Sequence, residues 1–306
     1  MLPLVGDHPV TALDAADPHL AGIRRYPVKS LDGEALEAAT LVPDGALAGD
    51  RRWAIVDRPP GEPFDAQSAS VAGSGDYVNG KKTAQVHRLR ATFVPAADGG
   101  PAVELRRQGD PPNAARRFAL HDGGDRSEGT VHEPLNEWLS AFFDRPVSVR
   151  RTAAGQHDDR RRHGPTVVST ATLREVAAWF DFDLESARRR FRANLEVDGV
   201  PPFWEDRLFG DEGEVVAVQV GDVTIHGVHP CARCVVPGRD PETGGETPDF
   251  RETFIEQRRE TMPEWTESDR FDHDFRLMVN TRVPEESAGE SVAVGDAVAR
   301  VESRAG

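Results

Sequence analysis

The stretch His226-Gly227-Val228-His229-Pro230-Cys231-Ala232-Arg233-Cys234 holds the densest set of reactive side chains in the sequence. Two thiols and two imidazoles are four soft or borderline ligands, the inventory of a tetrahedral zinc site. With His226 in a strand and His229 in the turn after it, converging both on one metal is awkward, and no second Cys-x-x-Cys knuckle is present. Such a pair can instead be a redox dithiol, but redox pairs open a helix in a βαβ unit, and no βαβ pattern surrounds this one. In a third chemistry one thiolate is the protein ligand of a larger metal cofactor, since thiolate is a good soft donor. Spacing alone favours zinc or structural cysteine and leaves all three open.

These residues follow a β-rich run at 223–228, so a strand has to present them. Other short runs with strand character lie at 20–28, 52–56, 86–94, 103–107, 117–121 and 147–151, each punctuated by Gly, Pro or Asp. The rhythm is that of a barrel-like, all-β or α+β fold. Helical spacing interrupts it at 131–143, where Val131, Leu135, Trp138, Leu139 and Phe142 share a face. The stretch 58–80 reads as a long surface loop. A Gly-, Asp- and Arg-containing segment at 153–164, with Arg160-Arg161-Arg162-His163, is the expected domain boundary and a candidate anion patch. Beyond it come a strand at 166–169, a helix from Thr170, an Arg-rich helix at 184–190, strands at 194–197 and 215–220, a helix at 250–259, and closing strands at 275–283 and 291–301.

Among 306 residues, 37 Lys and Arg stand against 52 Asp and Glu, a net charge of -15 spread along the chain. That balance argues against a nucleic-acid partner. An Arg-over-Lys, Asp-rich composition suits a salt-rich cytoplasm, so a halophilic source is expected. No run of 18 apolar residues and no signal-peptide pattern occurs, so the expectation is a soluble cytoplasmic protein with no membrane contact. Two cysteines cannot ligate an iron-sulfur cluster, and 73–80 contains no dinucleotide-binding GxGxxG.

Arg233-Cys234 followed by Asp240-Pro241-Glu242-Thr243-Gly244 resembles the signature of the MOSC family, named after the C-terminal part of molybdenum cofactor sulfurase. Tyr26-Pro27-Val28-Lys29-Ser30 and Gly49-Asp50-Arg51-Arg52-Trp53 resemble pieces of the family's N-terminal barrel, and Phe191-Arg192-Ala193-Asn194 its FRxN element. The order matches too, and the chain is similar to the mitochondrial amidoxime-reducing component and its bacterial relatives. The resemblance implies an α+β, predominantly β fold, with an N-terminal β-barrel-like domain at 20–152 and a MOSC β-barrel with a few helices at 160–303. It implies a molybdenum-molybdopterin cofactor between them, with Cys234 as molybdenum ligand and catalytic residue. Lys29, Ser30 and Arg51 match positions that hold the pterin phosphate, and Arg192 and Asn194 match positions that hold the pterin.

Charge and hydrogen-bonding chemistry agree: cations and a hydroxyl suit a phosphate, and an Asn amide can pair a pterin edge in both senses. Arg233 is expected to stabilise the neighbouring thiolate. His163, with Arg162, replaces a Thr-Ser pair of the family and is assigned to cofactor binding; Ala232 replaces a Ser. The implied activity is reduction of N-hydroxylated small molecules, with electrons from a separate ferredoxin or flavoprotein, because the sequence ends just past the last expected strand. The alternative is a sulfur or cofactor carrier without turnover. Pyridoxal phosphate belongs to the desulfurase domain beside which some MOSC domains occur, for which 306 residues leave no room.

Overall fold

The computed structural model describes residues 17–43, 45–64, 76–96, 100–120, 133–152, 156–157 and 163–305. Among them the N-terminal half forms β1 (His19–Arg25), β2 (Glu34–Leu36), β3 (Ala38–Thr40), β4 (Trp53–Val56), β5 (Leu89–Pro95), β6 (Pro101–Arg107), β7 (Arg116–Ala119), α1 (Glu133–Phe143) and β8 (Ser148–Arg151). The C-terminal half forms β9 (Val167–Ser169), α2 (Thr170–Trp179), α3 (Leu184–Phe191), β10 (Leu195–Asp198), β11 (Glu214–Val220), β12 (Val223–Ala232), α4 (Phe250–Glu260), β13 (Arg276–Arg282), β14 (Ser291–Ala293) and β15 (Val298–Ala305). The fold is α+β and predominantly β.

The largest sheet runs β15-β11-β12-β13-β9-β10-β1-β2. Its last two members come from the start of the chain: β1 pairs antiparallel with β10, Ile23 opposite Leu195. Likewise β3 pairs with β14 near the end. One core cluster therefore mixes Leu20, Ile23, Leu41 and Leu47 with Val167, Leu195, Ile225 and Val279. A second is wholly N-terminal, with Trp53, Ile55, Leu105, Leu135, Leu139 and Val149. A third packs α2, α3 and α4 through Leu173, Phe191, Phe250 and Phe254.

Local chemistry explains the helices that frame the site. In α1, Leu135, Leu139 and Phe143 are buried at the spacing expected of one face; the expected start at 131 lies outside the described residues. α3 opens on Asp183, whose Oδ1 accepts from the Ser186 N–H at 2.6 Å. It ends on Arg192, which takes the left-handed conformation at φ 58° and donates its N–H to the Arg188 carbonyl.

Three expectations are corrected. β12 does not stop at 228: it runs through His229, Pro230 and Cys231, so His229 lies on the strand and not in a turn. Pro230 is tolerated because bulges at Gly227/His229 and Pro230/Ala232 break the regular ladder to β13. Gly227 is required there, since a Cβ would stand 1.7 Å from the Leu208 carbonyl oxygen. The run at 86–94 begins as a 3-10 turn, Ala84–Arg88, capped by Thr83, before β5. The run at 291–301 is two strands separated by the turn at Gly295.

Candidate functional site

Between the N-terminal core and the large sheet lies a cleft of about 830 Å³ lined by both halves. Eleven Lys or Arg and four Asp or Glu line it, the reverse of the balance of the chain. Low-dielectric walls carrying one sign of charge concentrate the potential, so the cleft attracts anions out of an otherwise acidic surface.

The N-terminal wall is built on Tyr26. Its N–H donates to Asp50 Oδ1 at 2.8 Å, its carbonyl accepts from the Arg51 N–H at 2.8 Å, and its hydroxyl donates to the Ala193 carbonyl at 3.2 Å. These bonds fix two loops against each other. Lys29 follows, its N–H bonded to the Trp53 carbonyl, and Ser30 stands at φ 70°. Arg51, at φ 45°, pairs with Asp50. Burial pushes the Tyr26 hydroxyl pKa up, against the pull of Arg192, Arg24 and Arg51.

The C-terminal wall is the end of α3 and the cysteine loop. The Arg192 guanidinium lies 4.1 Å from the centroid of the Tyr26 ring, and its buried Nη2 has no hydrogen-bonding partner among the described residues. Burial, reinforced by Arg51, pulls its pKa below the usual arginine value, yet an arginine stays charged at neutral pH. Arg233 Nη2 donates to the Phe191 carbonyl at 2.9 Å, and Nη1 reaches Cys231 Sγ and Met278 Sδ at 3.4 Å each. It thus ties the cysteine loop to the end of α3. Cys231 and Cys234 are free thiols, both half-buried. Ser30, Arg51, Arg192 and Met278 all line the cleft with positive φ. Such conformations cost on the order of 1–3 kcal/mol each and gather where geometry serves a ligand.

An ion network joins the walls. Arg189 on α3 bonds Glu242 at 2.6 Å and lies 3.5 Å from Asp32, while Arg90 on β5 donates to the Glu242 carbonyl at 2.6 Å and sits 3.8 Å from Asp32. Glu242 belongs to the turn 240–244, where Asp240 Oδ1 accepts from the N–H groups of Glu242 and Thr243 and from the Thr243 hydroxyl. Gly244 at φ 75° packs on Ala84, whose carbonyl oxygen would lie 2.4 Å from a Cβ. The turn is therefore a strut between the halves.

All eight candidate residues named from sequence line this one cleft: Cys234, Lys29, Ser30, Arg51, Arg192, Asn194, Arg233 and His163. Asn194 has a further role there. Its Oδ1 accepts from the N–H and hydroxyl of Thr166, and Nδ2 donates to the Arg24 carbonyl at 3.1 Å. Both acceptor positions are thereby occupied, and the residue latches β1 to the start of β9. His163 lies with its ring 5.0 Å from that of His229; Arg160 to Arg162 lie outside the described residues. Among the described residues no three His, Cys, Asp or Glu side chains are grouped to hold a metal ion, so the four-ligand zinc arrangement is not formed. His226 does not line the cleft. Sequence reasoning missed Asn79, His87, Arg90, Arg189 and Met278, none of which carries a motif of its own.

Family comparison agrees with the architecture. The MOSC N-terminal beta barrel domain matches residues 18–146 and the MOSC domain residues 160–299. The chain belongs to the MOSC family. This MOSC protein is similar to a molybdenum cofactor sulfurase of Homo sapiens, 22% identical over 265 residues that cover 75% of the chain and 28% of the relative. It is similar also to one of Caenorhabditis briggsae, 25% identical over 135 residues, covering 44% and 17%. The match thus spans about a quarter or less of those relatives' length. Among the described residues no helix of this MOSC protein is long and apolar enough to cross a membrane.

Proposed function

We propose that this MOSC protein holds a molybdenum-pterin cofactor in the cleft and reduces N-hydroxylated small molecules. The observation that carries the reading is the Arg192 guanidinium, buried at Nη2 with no partner there among the described residues. Arg192 is half-buried in the cleft wall, and a donor left without a partner there costs about 1–3 kcal/mol, so the wall suits a ligand with negative or acceptor atoms. A phosphorylated pterin has that character, and 830 Å³ lies within the range of pockets for such ligands.

In this reading Lys29, Ser30 and Arg51 would hold the phosphate, and Arg192 the pterin. Cys234 would give its thiolate to the metal, with Arg233 orienting the loop through the Phe191 carbonyl. Asn194 would act chiefly as a latch, and His163 would face the ligand beside His229. When bound, the cofactor supplies two-electron oxygen-atom chemistry that side chains lack. The chain's part is to bind, orient and exclude water. Cys231 and Cys234 are too few to hold a cluster within this sequence, and in this reading electrons would come from a ferredoxin or flavoprotein.

A second reading, a carrier of sulfur or of the cofactor, is favoured by the kind of relative found, the sulfurases. Molybdenum and pterin analysis of the purified chain separates the two. Bound molybdenum and pterin, with reduction of an N-hydroxylated substrate by a chemical donor, support the first; persulfide on Cys234 without turnover supports the second. Cys234→Ser is expected to abolish molybdenum retention and Cys231→Ser to preserve it. Equal loss in both variants would count against Cys234 as the sole protein ligand.

A further inference from the structure

We infer that Asn79 reads the bound molecule from the N-terminal wall, donating its side-chain amide N–H to an acceptor atom at the Cys234 end of the cleft. The inference rests on the cofactor reading above. Asn79 is 2% exposed and lines the cleft. Its Oδ1 accepts from the backbone N–H of Lys81 at 3.0 Å and of Lys82 at 3.2 Å. That turn fixes which way the amide points, because reversing it would set an NH2 group against two N–H donors. The other end is therefore a donor, and Nδ2 is buried without a partner among the described residues.

Ser or Asp would serve such a turn with no amide donor to satisfy. A buried donor left unpaired is costly, and this one belongs to a residue of the cleft lining, as does the orphaned Nη2 of Arg192. The location adds what the donor addresses. At the adjacent Gly80 a Cβ would lie 3.3 Å from Val236 Cγ2, two residues past Cys234, and 2.7 Å from His87 Nε2. Burial, then the charges of Arg192 and Arg239, hold His87 neutral with a pKa lowered to about 4. His87 and Val236 are uncharged at this corner, while Lys81, whose backbone N–H the turn binds, also lines the cleft. An amide N–H pairs with an acceptor atom of the bound molecule, an amide carbonyl or a ring nitrogen among them.

Asn79→Asp tests this, because it keeps the oxygen that closes the turn and replaces the donor with an acceptor. The full chain is produced in a host that makes the cofactor, and pterin per chain is read by fluorescence of its oxidised form. The expected result is a drop of roughly ten-fold or more, with the melting temperature of the ligand-free protein unchanged. The drop should persist in molar salt, where simple charge repulsion is screened. Asn79→Ser, which keeps a turn oxygen and adds no charge, should show the same loss. Wild-type pterin content in either variant overturns the inference, as does a deficit in Asn79→Asp that vanishes in salt. Collapse of the ligand-free melting temperature in both variants overturns it as well, making Asn79 a turn residue only. If the wild-type chain carries no pterin, the cofactor reading falls and this inference falls with it.

Discussion

Arg258 and Arg192 each press a guanidinium on an aromatic ring, over Phe203 at 4.2 Å and over Tyr26 at 4.1 Å. Arg258 is 1% exposed, and its Nη2 donates to Asp206, which also accepts from the Thr266 hydroxyl. Beside it Glu205 is pushed up to about 8, by burial first and then by the charge of Asp206. Burial pushes Asp206 up as well, with Arg258 pulling the other way. That corner of the C-terminal core therefore balances its own charge: one ion pair and one carboxyl kept protonated. Arg192 has no carboxylate paired to it among the described residues and sits among further cations. The fold pairs the charge of one arginine, although Arg258 Nε and Nη1 are also buried without hydrogen-bonding partners among the described residues, and it gives the other no carboxylate.

The largest expected effect breaks the first half of that contrast. Asp206→Ala leaves the Arg258 charge buried and unpaired and should destabilise the chain by about 3–5 kcal/mol in urea unfolding. Arg192→Ala should leave the stability of the ligand-free protein near wild type. Similar unfolding free energies for the two variants would remove the distinction.

Glu205 sharpens the same corner through pH. Its folded pKa of about 8 lies above the ordinary 4.5, so folding takes up a proton between those values. Stability should fall as pH rises through that window and level off above it. Glu205→Gln keeps an oxygen for the Thr172 hydroxyl and removes the titration. It should gain on the order of 2–4 kcal/mol over wild type above pH 8 and nothing below pH 4. Parallel melting curves for the two proteins from pH 5 to 9 would reject the assignment.

For the cleft, Arg192→Ala should weaken pterin binding by about 1.5–3 kcal/mol, the worth of a charged hydrogen bond. Unchanged pterin content at a fixed salt concentration would make Arg192 a part of the fold like Arg258. The smallest effect is general: with a net charge of -15, the melting temperature should fall in dilute buffer as screening is lost. A flat profile into molar salt would remove the halophilic expectation.

Much of this arrangement was legible in the residues themselves. Amphipathic spacing marked α1 and α2, and the motifs around Lys29, Arg51, Arg192 and Cys234 lead to one cleft because each sits at the end of an element whose local signals are strong. Pro230 hid the continuation of β12, since a proline ends a strand unless bulges absorb it, and bulges are set by the partner strand. Asn79 lies in a stretch with the composition of a surface loop, part of which is outside the described residues. Its significance comes from its place in the cleft wall, where the adjacent Gly80 packs close to Val236 and His87, which no local pattern encodes. The membership of β1 in the distant sheet was equally invisible, because a strand signal does not name its neighbour.

That membership bears on how the chain is made. Arg24 bonds Asn194, 170 positions later, so during synthesis at roughly 5–20 residues per second β1 is complete on the order of ten seconds or more before its partner exists. Its apolar residues Leu20 and Ile23 must stay soluble through that interval. Conversely, a fragment starting at the second domain would present the edge of β10 unpaired, an edge on which another chain can build. Such a fragment, or a stalled nascent chain, is where association in place of folding is expected to begin.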